Sequence, residues 1–321
     1  MALLVLGQKV TRFLLLALGV ATAPGCGKDK QGKHGDPAFI APGSAALVGD
    51  RCAQLPFADS SSVPEASGAA WLTIGGKLAL VVISDSGNDG AYAVIDPETG
   101  ETRETGKLPL GSAGQDLEGV AARGQQLVAI NSAGWIRVWD RDETAKGFRL
   151  AEDAYAIGPA TLSDKSEGNQ PPSGDGMACS ANKTNCGRNY EGLCLIDVAH
   201  RNGPCVGFAA GKADGALFCL TEEGGKLVGH QDQRIAITRP GALADCAFGD
   251  DGSLWAGSNL FDLANVYEIT GWDDPATAKV SPLAAMGIGF PETLAVRGDV
   301  FYRMSDTGGS PSLMAKFRCK R

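Results

Sequence analysis

Short apolar runs separated by polar turns recur along most of this chain. Runs rich in Val, Ile, Leu, Tyr and Trp alternate with stretches of Gly, Asp and Asn, and helical periodicity is scarce. This pattern predicts an all-β fold. Because similar runs return with a long period, the chain also has the sequence signature of a repeat architecture.

Five units can be aligned, and each opens with a carboxylate followed by small or apolar residues. The opening carboxylates are Glu65, Glu118, Glu191, Asp245 and Glu292. Successive members are 53, 73, 54 and 47 residues apart, which is long enough for a four-stranded sheet in every unit. The sequence therefore predicts a β-propeller with five blades of four antiparallel strands. A sixth blade is the alternative, if one unit is degenerate.

The fifth unit stops after its third strand, so its outer strand has to come from elsewhere in the chain. Residues 44–57, which precede the first unit, are predicted to form a spare strand. A ring closed by this N-terminal strand leaves no open sheet edge. Cys52 and Cys319 would then be neighbours, and we predict a disulfide bond between them.

The cysteines indicate an oxidising compartment. The chain has nine, and eight remain when Cys26 is set aside, an even number. Cys179 and Cys186 are predicted to close a small loop. Four more are predicted to lie close together and to form two bridges, in any of three pairings: Cys194, Cys205, Cys219 and Cys246. Zinc is disfavoured because paired CxxC spacings are missing and histidines are few.

The first residues predict export through a lipoprotein signal. Lys9 and Arg12 precede an apolar run over residues 13–23 that is too short to span a bilayer permanently. The run ends in Ala23-Pro24-Gly25-Cys26, and small residues before a cysteine favour cleavage ahead of a lipid-modified Cys26. An ordinary secretory signal is the alternative.

The chain is therefore predicted to consist of three segments: a signal peptide (1–25), a flexible tether (26–43) and a propeller domain (44–321). Gly27 follows the cysteine, so there is no aspartate retention signal, which in a Gram-negative bacterium favours the outer membrane. The membrane is thus the predicted partner of the tether. The formal net charge of −8 becomes −10 once the two cations of the signal are removed, which argues against a nucleic-acid partner.

Propeller geometry predicts an acidic site at one mouth of the axial channel. The inner strand of a blade begins at the face where the second strand ends, so the five opening carboxylates gather there. Polar residues that end the second strands are expected close by, namely Asp85, Asn131, Asn259 and Asp306. Crowded carboxylates repel one another unless their pKa values rise or a cation neutralises them. Oxygen ligands without Cys or His suit a hard ion, Ca²⁺ ahead of Mg²⁺.

An architectural role is the alternative for these carboxylates. In that case each would bind backbone amides at the start of its blade and hold neighbouring blades together. A second feature is expected over the same mouth: an insertion over residues 158–188 that joins two blades and is rich in Ser, Asn, Gly, Pro and Asp. A long loop in this place is a lid, a recognition element or a tolerated surface insertion.

Two short motifs resemble the bacterial SdiA-regulated and phytase-like, or esterase-like, propeller families. Asp116-Leu117-Glu118-Gly119-Val120 and Asn189-Tyr190-Glu191-Gly192-Leu193 are similar to the pattern that opens their blades, and residues 249–259 are similar to a strand motif of the form D-G-x-L-W-x-x-S-D. The resemblance implies an extracytoplasmic propeller with calcium at the axial mouth and, in some members, hydrolase activity. Asp245 in place of Glu, and Thr293 in place of Gly, depart from the pattern.

The leading hypothesis is a non-enzymatic, membrane-anchored propeller of the cell envelope that binds Ca²⁺ and presents its acidic face to a ligand or a protein. The alternative is a calcium-dependent hydrolase of esters, lactones or phosphoesters. The sequence identifies no catalytic residue and contains no GxSxG, P-loop or HExxH motif. Arg303 is the nearest candidate cation for the mouth.

Overall fold

The computed structural model describes residues 46–162, 172, 174 and 176–321, and their regular structure is almost entirely β. The predicted signal peptide, the tether and Cys26 lie outside the described residues.

Three strands precede the first blade: β1 (Leu47–Val48), β2 (Cys52–Leu55) and β3 (Ser60–Pro64). Blade 1 consists of β4 (Ala66–Ile74), β5 (Lys77–Ser84), β6 (Ala91–Ile95) and β7 (Thr102–Lys107). Blade 2 consists of β8 (Leu117–Arg123), β9 (Gln126–Asn131), β10 (Trp135–Asp142) and β11 (Gly147–Leu150), with a short β12 (Tyr155–Ala156) also paired to β10.

The remaining blades repeat this plan. Blade 3 consists of β13 (Tyr190–Leu195), β14 (Gly207–Gly211), β15 (Ala216–Glu223) and β16 (Lys226–Ala236). Blade 4 consists of β17 (Leu243–Phe248), β18 (Leu254–Ser258), β19 (Asn265–Thr270) and β20 (Lys279–Gly287). Blade 5 has an inner strand in two pieces, β21 (Phe290–Pro291) and β22 (Ala295–Arg297), followed by β23 (Val300–Asp306) and β24 (Pro311–Cys319). The predicted five-bladed, antiparallel β-propeller is confirmed.

The N-terminal strand closes the ring as predicted. β2 pairs with β24 as the outer strand of blade 5, and Cys52 stands opposite Cys319 in the register and is bonded to it. The segment predicted as one strand is divided, however, because β1 pairs with β20 and adds a fifth strand to blade 4. The N-terminus thus covers the edges of two neighbouring blades.

Burial explains why these segments form strands. Residues 80–83 of β5 are fully buried, because neighbouring blades cover both faces of this strand. The outer strand β7 has no fully buried residue and carries mostly polar side chains. Among the described residues, five apolar clusters each join two adjacent blades, the last one joining blade 5 to blade 1. Trp255 and Phe301, for example, meet edge to face across blades 4 and 5, with ring centroids 5.0 Å apart.

The structure also selects one of the three disulfide pairings left open above. Cys194 bonds to Cys246 and links the inner strands of blades 3 and 4, while Cys205 bonds to Cys219 within blade 3. The predicted small loop between Cys179 and Cys186 is closed by a fourth bond. No helix among the described residues is long and apolar enough to cross a membrane.

Candidate metal centre at the axial mouth

A β-bulge near the start of each inner strand shapes the mouth. Leu117 pairs with Asn131 and Gly119 pairs with Ile130, so Glu118 is an extra residue in β8. The same irregularity occurs in blades 1, 3 and 4, and the backbone hydrogen bonds of blade 5 place an extra residue there too. The extra residues are Ser67, Glu118, Glu191, Ala244 and Glu292.

The five opening carboxylates therefore occupy three different positions. Glu118, Glu191 and Glu292 are the extra residues of their bulges. Glu65 lies two positions before Ser67, the extra residue of blade 1, and is equivalent to Asp116 of blade 2. Asp245 lies one position after Ala244, the extra residue of blade 4, and is equivalent to Gly119 of blade 2. The alignment of the five carboxylates in the sequence thus conceals differences in their positions on the inner strands.

A cluster of three carboxylates is present at the mouth. Asp85, Asp116 and Glu118 each offer an oxygen atom, and these atoms lie within 4.8 Å of one another. Asp85 follows β5 of blade 1, whereas the other two open blade 2. Asp85 and Glu118 were predicted as site residues and Asp116 was not, although it occupies the position equivalent to Glu65. We call these residues the three-carboxylate cluster.

Hydrogen bonds orient the three-carboxylate cluster. The Ser67 hydroxyl of blade 1 donates to Oε2 of Glu118 at 2.7 Å. The Ser132 hydroxyl donates to Asp116, and the backbone N–H of Ser86 donates to Asp85. Both Asp116 and Glu118 are buried, and Asp85 is partly buried. The carboxylates are thus held in place before any ligand arrives.

Burial and mutual repulsion change the acidity of the cluster. Burial, with the negative charge of Asp116 adding to it, raises the pKa of Asp85 to about 7. Burial and the neighbouring Asp85 raise the pKa of Glu118 well above its ordinary value. The environment therefore disfavours the ionised forms of Asp85 and Glu118, and a bound cation would favour them.

Lys212 supplies a positive charge to another part of the mouth. Its Nζ atom lies 3.0 Å from Oε2 of Glu191 and 3.5 Å from Oε1 of Glu292. Burial alone would lower the pKa of Lys212, but the two glutamates outweigh it, so the pKa is raised and the side chain stays charged. We call these three residues the lysine triplet.

Lys212 was missed by sequence reasoning, although a signal existed. It directly follows β14, the position that Asp85 and Asn259 occupy in their blades. Its backbone N–H donates to the carbonyl of Asn189 at 2.9 Å, as that of Asp85 does to Glu65. Extending the alignment to the ends of the second strands would have identified it as a mouth residue.

Asp245 has the architectural role that was the alternative prediction for all five opening carboxylates. Its Oδ1 accepts from the backbone N–H of Cys246 and its Oδ2 accepts from that of Leu294, both at 2.7 Å. Leu294 belongs to blade 5, so this carboxylate joins the inner segments of blades 4 and 5. Burial raises the pKa of Asp245 well above its ordinary value, although the two amides act in the opposite direction.

The glycine that follows the motif glutamate is also architectural. A β-carbon at Gly119 would lie 2.1 Å from the backbone nitrogen of Leu193, and one at Gly192 would lie 2.5 Å from Oδ1 of Asp245. The inner strands of neighbouring blades approach too closely for any side chain at these positions. The motif that suggested the family resemblance is thus partly explained by packing.

The other predicted residues form hydrogen bonds close to their own strands. The Asn131 side-chain amide donates to Ala113 and accepts from Trp135, and the side-chain oxygen of Asn259 accepts from the backbone N–H of Phe261. Asp306 accepts from Gly308 in a turn, and Glu65 accepts from Asn88 Nδ2 at 2.7 Å.

Arg303 does not provide the cation of the mouth. It is fully buried and donates to the backbone carbonyl of Ser258 at 2.8 Å. Burial lowers the pKa of Arg303 to about 10, with Asp245 acting against the shift. Its contacts join blades 4 and 5. The cation that contacts the predicted carboxylates is Lys212.

The described part of the insertion packs beside this mouth. The backbone N–H of Cys179 donates to the carbonyl of Ala133, which lies just after β9, and the Tyr190 hydroxyl donates to the carbonyl of Met177. Trp135 Nε1 donates to the carbonyl of Cys179 at 2.9 Å. These contacts place Met177 and Cys179 of the insertion beside the mouth.

No family model matches the chain, and no curated protein matches it. Among solved structures, it is similar to a candidate 6-phosphogluconolactonase from Bacteroides fragilis, with 15% identity, 74% of this chain and 76% of that one covered, and a TM-score of 0.42. It is also similar to Myxococcus xanthus glutaminyl cyclase, with 16% identity, 84% of this chain and 97% of that one covered, and a TM-score of 0.44. A luciferin-regenerating enzyme has 10% identity, with 85% of this chain and 95% of that one covered, and a TM-score of 0.46. The five-bladed fold rests on the strand pairing above, and these distant similarities assign no activity.

Proposed function

We propose that this protein is an exported, lipid-anchored β-propeller of the cell envelope that binds a divalent cation, Ca²⁺ before Mg²⁺, and presents its acidic face to a ligand or a protein. The observation that carries the proposal is the three-carboxylate cluster, whose oxygen atoms lie within 4.8 Å of one another. Carboxylate oxygens without sulfur or imidazole are the ligands that hard cations prefer.

The electrostatics of the mouth support cation binding. The pKa of Asp85 is raised to about 7 and that of Glu118 is raised well above its ordinary value, first by burial in both cases. A cation would favour ionisation of both groups and relieve their repulsion. Asp85, Asp116 and Glu118 would hold the ion, and water or ligand oxygens would complete its coordination.

Exposed apolar side chains beside the mouth support ligand or protein binding there. Phe261 and Leu263 are 57% and 70% exposed and lie in the turn that follows β18. Asn259, which starts this turn, stands at the same position in its blade as Asp85. Large apolar side chains exposed to water are common at interaction surfaces.

Export and anchoring are supported by the chemistry of the chain. Four disulfide bonds join described residues, which is typical of an oxidising compartment outside the cytoplasm. The lipid on Cys26 is proposed from the sequence alone. Mass spectrometry of the N-terminal peptide would reveal a diacylglyceryl group on Cys26, and an unmodified mature N-terminus would overturn the anchoring proposal.

A calcium-dependent hydrolase of esters, lactones or phosphoesters is the second candidate. Lys212 favours it, since this partly buried cation lies at the mouth beside Glu191. A bound ion would polarise a substrate oxygen. Lys212 would favour negative charge nearby, and an ionised carboxylate such as Glu191 would accept a proton.

Calcium titration of the full chain tests cation binding. If the folded state binds Ca²⁺, the melting temperature should rise saturably over that in chelator, by about 5 °C or more at a hundredfold excess over Kd. Asp85→Asn and Glu118→Gln should abolish the rise. Asp232→Asn changes an exposed aspartate away from the cluster and should retain it.

The outcomes separate the two candidates. A saturable calcium effect without turnover of nitrophenyl esters, lactones or nitrophenyl phosphate supports the binding protein. Calcium-dependent turnover that is lost in Glu118→Gln supports the hydrolase. No calcium effect in the unmodified chain would overturn both, and would leave the three-carboxylate cluster with an architectural role.

A further inference from the structure

The axial channel has a second end, on the face where the inner strands finish. A cavity of about 530 Å³ opens there and is lined by residues from all five blades. Trp71, Arg123, Leu195, Phe248 and Arg297 come from the distal parts of the five inner strands. The acidic residues described above lie at the beginnings of the same strands, so this cavity is a separate site.

Much of the cavity wall is apolar. Leu195, Phe248, Leu227 and Val296 line it, together with the indole of Trp71. The indole nitrogen of Trp71 is already satisfied, because it donates to the carbonyl of Val296 at 3.0 Å. The volume falls within the range of small-molecule sites, which are mainly apolar with few polar groups.

Three arginines line the cavity, and two of them have carboxylate partners. Arg123 lies 3.9 Å from Glu222 and Arg297 lies 3.8 Å from Asp250. The side chain of Arg201 forms no hydrogen bond or ion pair with any described residue.

The Nε atom of Arg201 is nonetheless buried. Arg201 as a whole is only partly buried and lines the cavity, so the rest of its guanidinium group can donate to an acceptor on a ligand. The cavity therefore has one arginine without a carboxylate partner beside an apolar wall. Asp197 also lines the cavity, and its carboxylate accepts from the backbone N–H of Ala199.

We propose that this cavity binds a small amphipathic monoanion, an apolar molecule that carries one carboxylate. Arg201 would donate to the carboxylate, and the apolar body would pack against Trp71 and Phe248. One arginine without a carboxylate partner matches a single negative charge, whereas Asp197, Glu222 and Asp250 would repel a more highly charged ligand. The apolar wall disfavours sugars and other fully polar anions.

Three probes separate the two parts of this proposal in calorimetric titrations of the full chain. Octanoate carries both the apolar body and the charge, 1-octanol lacks the charge, and acetate lacks the apolar body. Octanoate should bind at one site, 1-octanol at least about tenfold more weakly, and acetate not measurably, since a charge-assisted hydrogen bond contributes about 1.5–3 kcal/mol.

Variants connect the binding to Arg201. Arg201→Gln should weaken octanoate about tenfold and leave 1-octanol unchanged, and Arg201→Lys should keep part of the preference for octanoate. Arg149→Gln is the matched control, because Arg149 is exposed, pairs with Asp140 and does not line the cavity. Equal affinity for octanoate and 1-octanol, or unchanged octanoate binding in Arg201→Gln, would overturn the proposal. If Arg201→Gln fails to fold, failure of octanoate to bind the unmodified chain would do so.

Discussion

The Nζ atom of Lys212 lies 3.0 Å from Oε2 of Glu191 and also reaches Glu292 on the far side of the axial mouth. Lys212 and Glu191 belong to blade 3, whereas Glu292 opens blade 5. The lysine triplet therefore connects blades that are not neighbours in the ring. Lys212 supplies the positive charge in this part of the mouth, whereas the three-carboxylate cluster consists of residues from blades 1 and 2.

Replacement of this internal cation should be strongly destabilising. Lys212→Met leaves Glu191 and Glu292 buried without the lysine, and we expect the free energy of unfolding at pH 7 to fall by about 3–5 kcal/mol. Urea denaturation measures the loss. Lys107→Met is the control, because Lys107 forms an exposed pair with Asp89 and should matter little. A loss no larger than that of the control would contradict the role of Lys212.

The pH dependence of stability should reveal Asp85. Its folded-state pKa is raised from 3.8 to about 7, first by burial, so the folded state holds the proton more tightly than the unfolded state. Its contribution to stability is therefore present below pH 3.8 and is lost as the pH rises to about 7. Without divalent cations, the melting temperature should decline from pH 5 to pH 8.

The variant Asp85→Asn should show a shallower decline in the same scan, because its amide does not titrate. Asp232→Asn should keep the full decline, since Asp232 is exposed. Saturating Ca²⁺ should flatten the profile of the unmodified chain by favouring the ionised cluster. Identical slopes for all three proteins in chelator would show that Asp85 titrates normally.

Removal of the Asp245 carboxylate should weaken the contact between blades 4 and 5. Asp245→Ala leaves the backbone N–H groups of Cys246 and Leu294 without their acceptor, and a loss of about 2–4 kcal/mol in unfolding free energy is expected. The calcium response should persist, because this residue is not in the three-carboxylate cluster. Loss of the calcium response in a variant that remains folded would assign Asp245 to the cation site.

The disulfides should contribute according to the length of chain they enclose. Cys52 and Cys319 are 267 residues apart, whereas Cys205 and Cys219 are 14 apart. The chain-entropy relation gives about 5–6 kcal/mol for the first bond and about 3 kcal/mol for the second. Chemical denaturation of the two paired Cys→Ser variants tests this order, and a larger loss for the shorter loop would contradict an entropic role in ring closure.

The architecture could largely be predicted from local sequence patterns. Strand identity depends on local patterns, such as the apolar run of β5 between polar turns, and these patterns can be read without knowing the partner strand. The period of the units predicted the blades, and the missing outer strand of the last blade predicted the pairing of Cys52 with Cys319. Closure of the ring could be predicted because it requires only that the strands of each blade be counted along the chain.

Which side chains meet at the mouth became clear from the three-dimensional arrangement of the blades. A bulge inserts one residue into an inner strand, and a shift of one residue reverses the direction of the side chains that follow. Glu65 and Asp245, which align with Glu118 in the sequence, therefore differ from it in position. Asp116 and Lys212 also contribute to the mouth, and their contacts with Asp85, Glu191 and Glu292 depend on hydrogen-bond register and on the approach of separate blades.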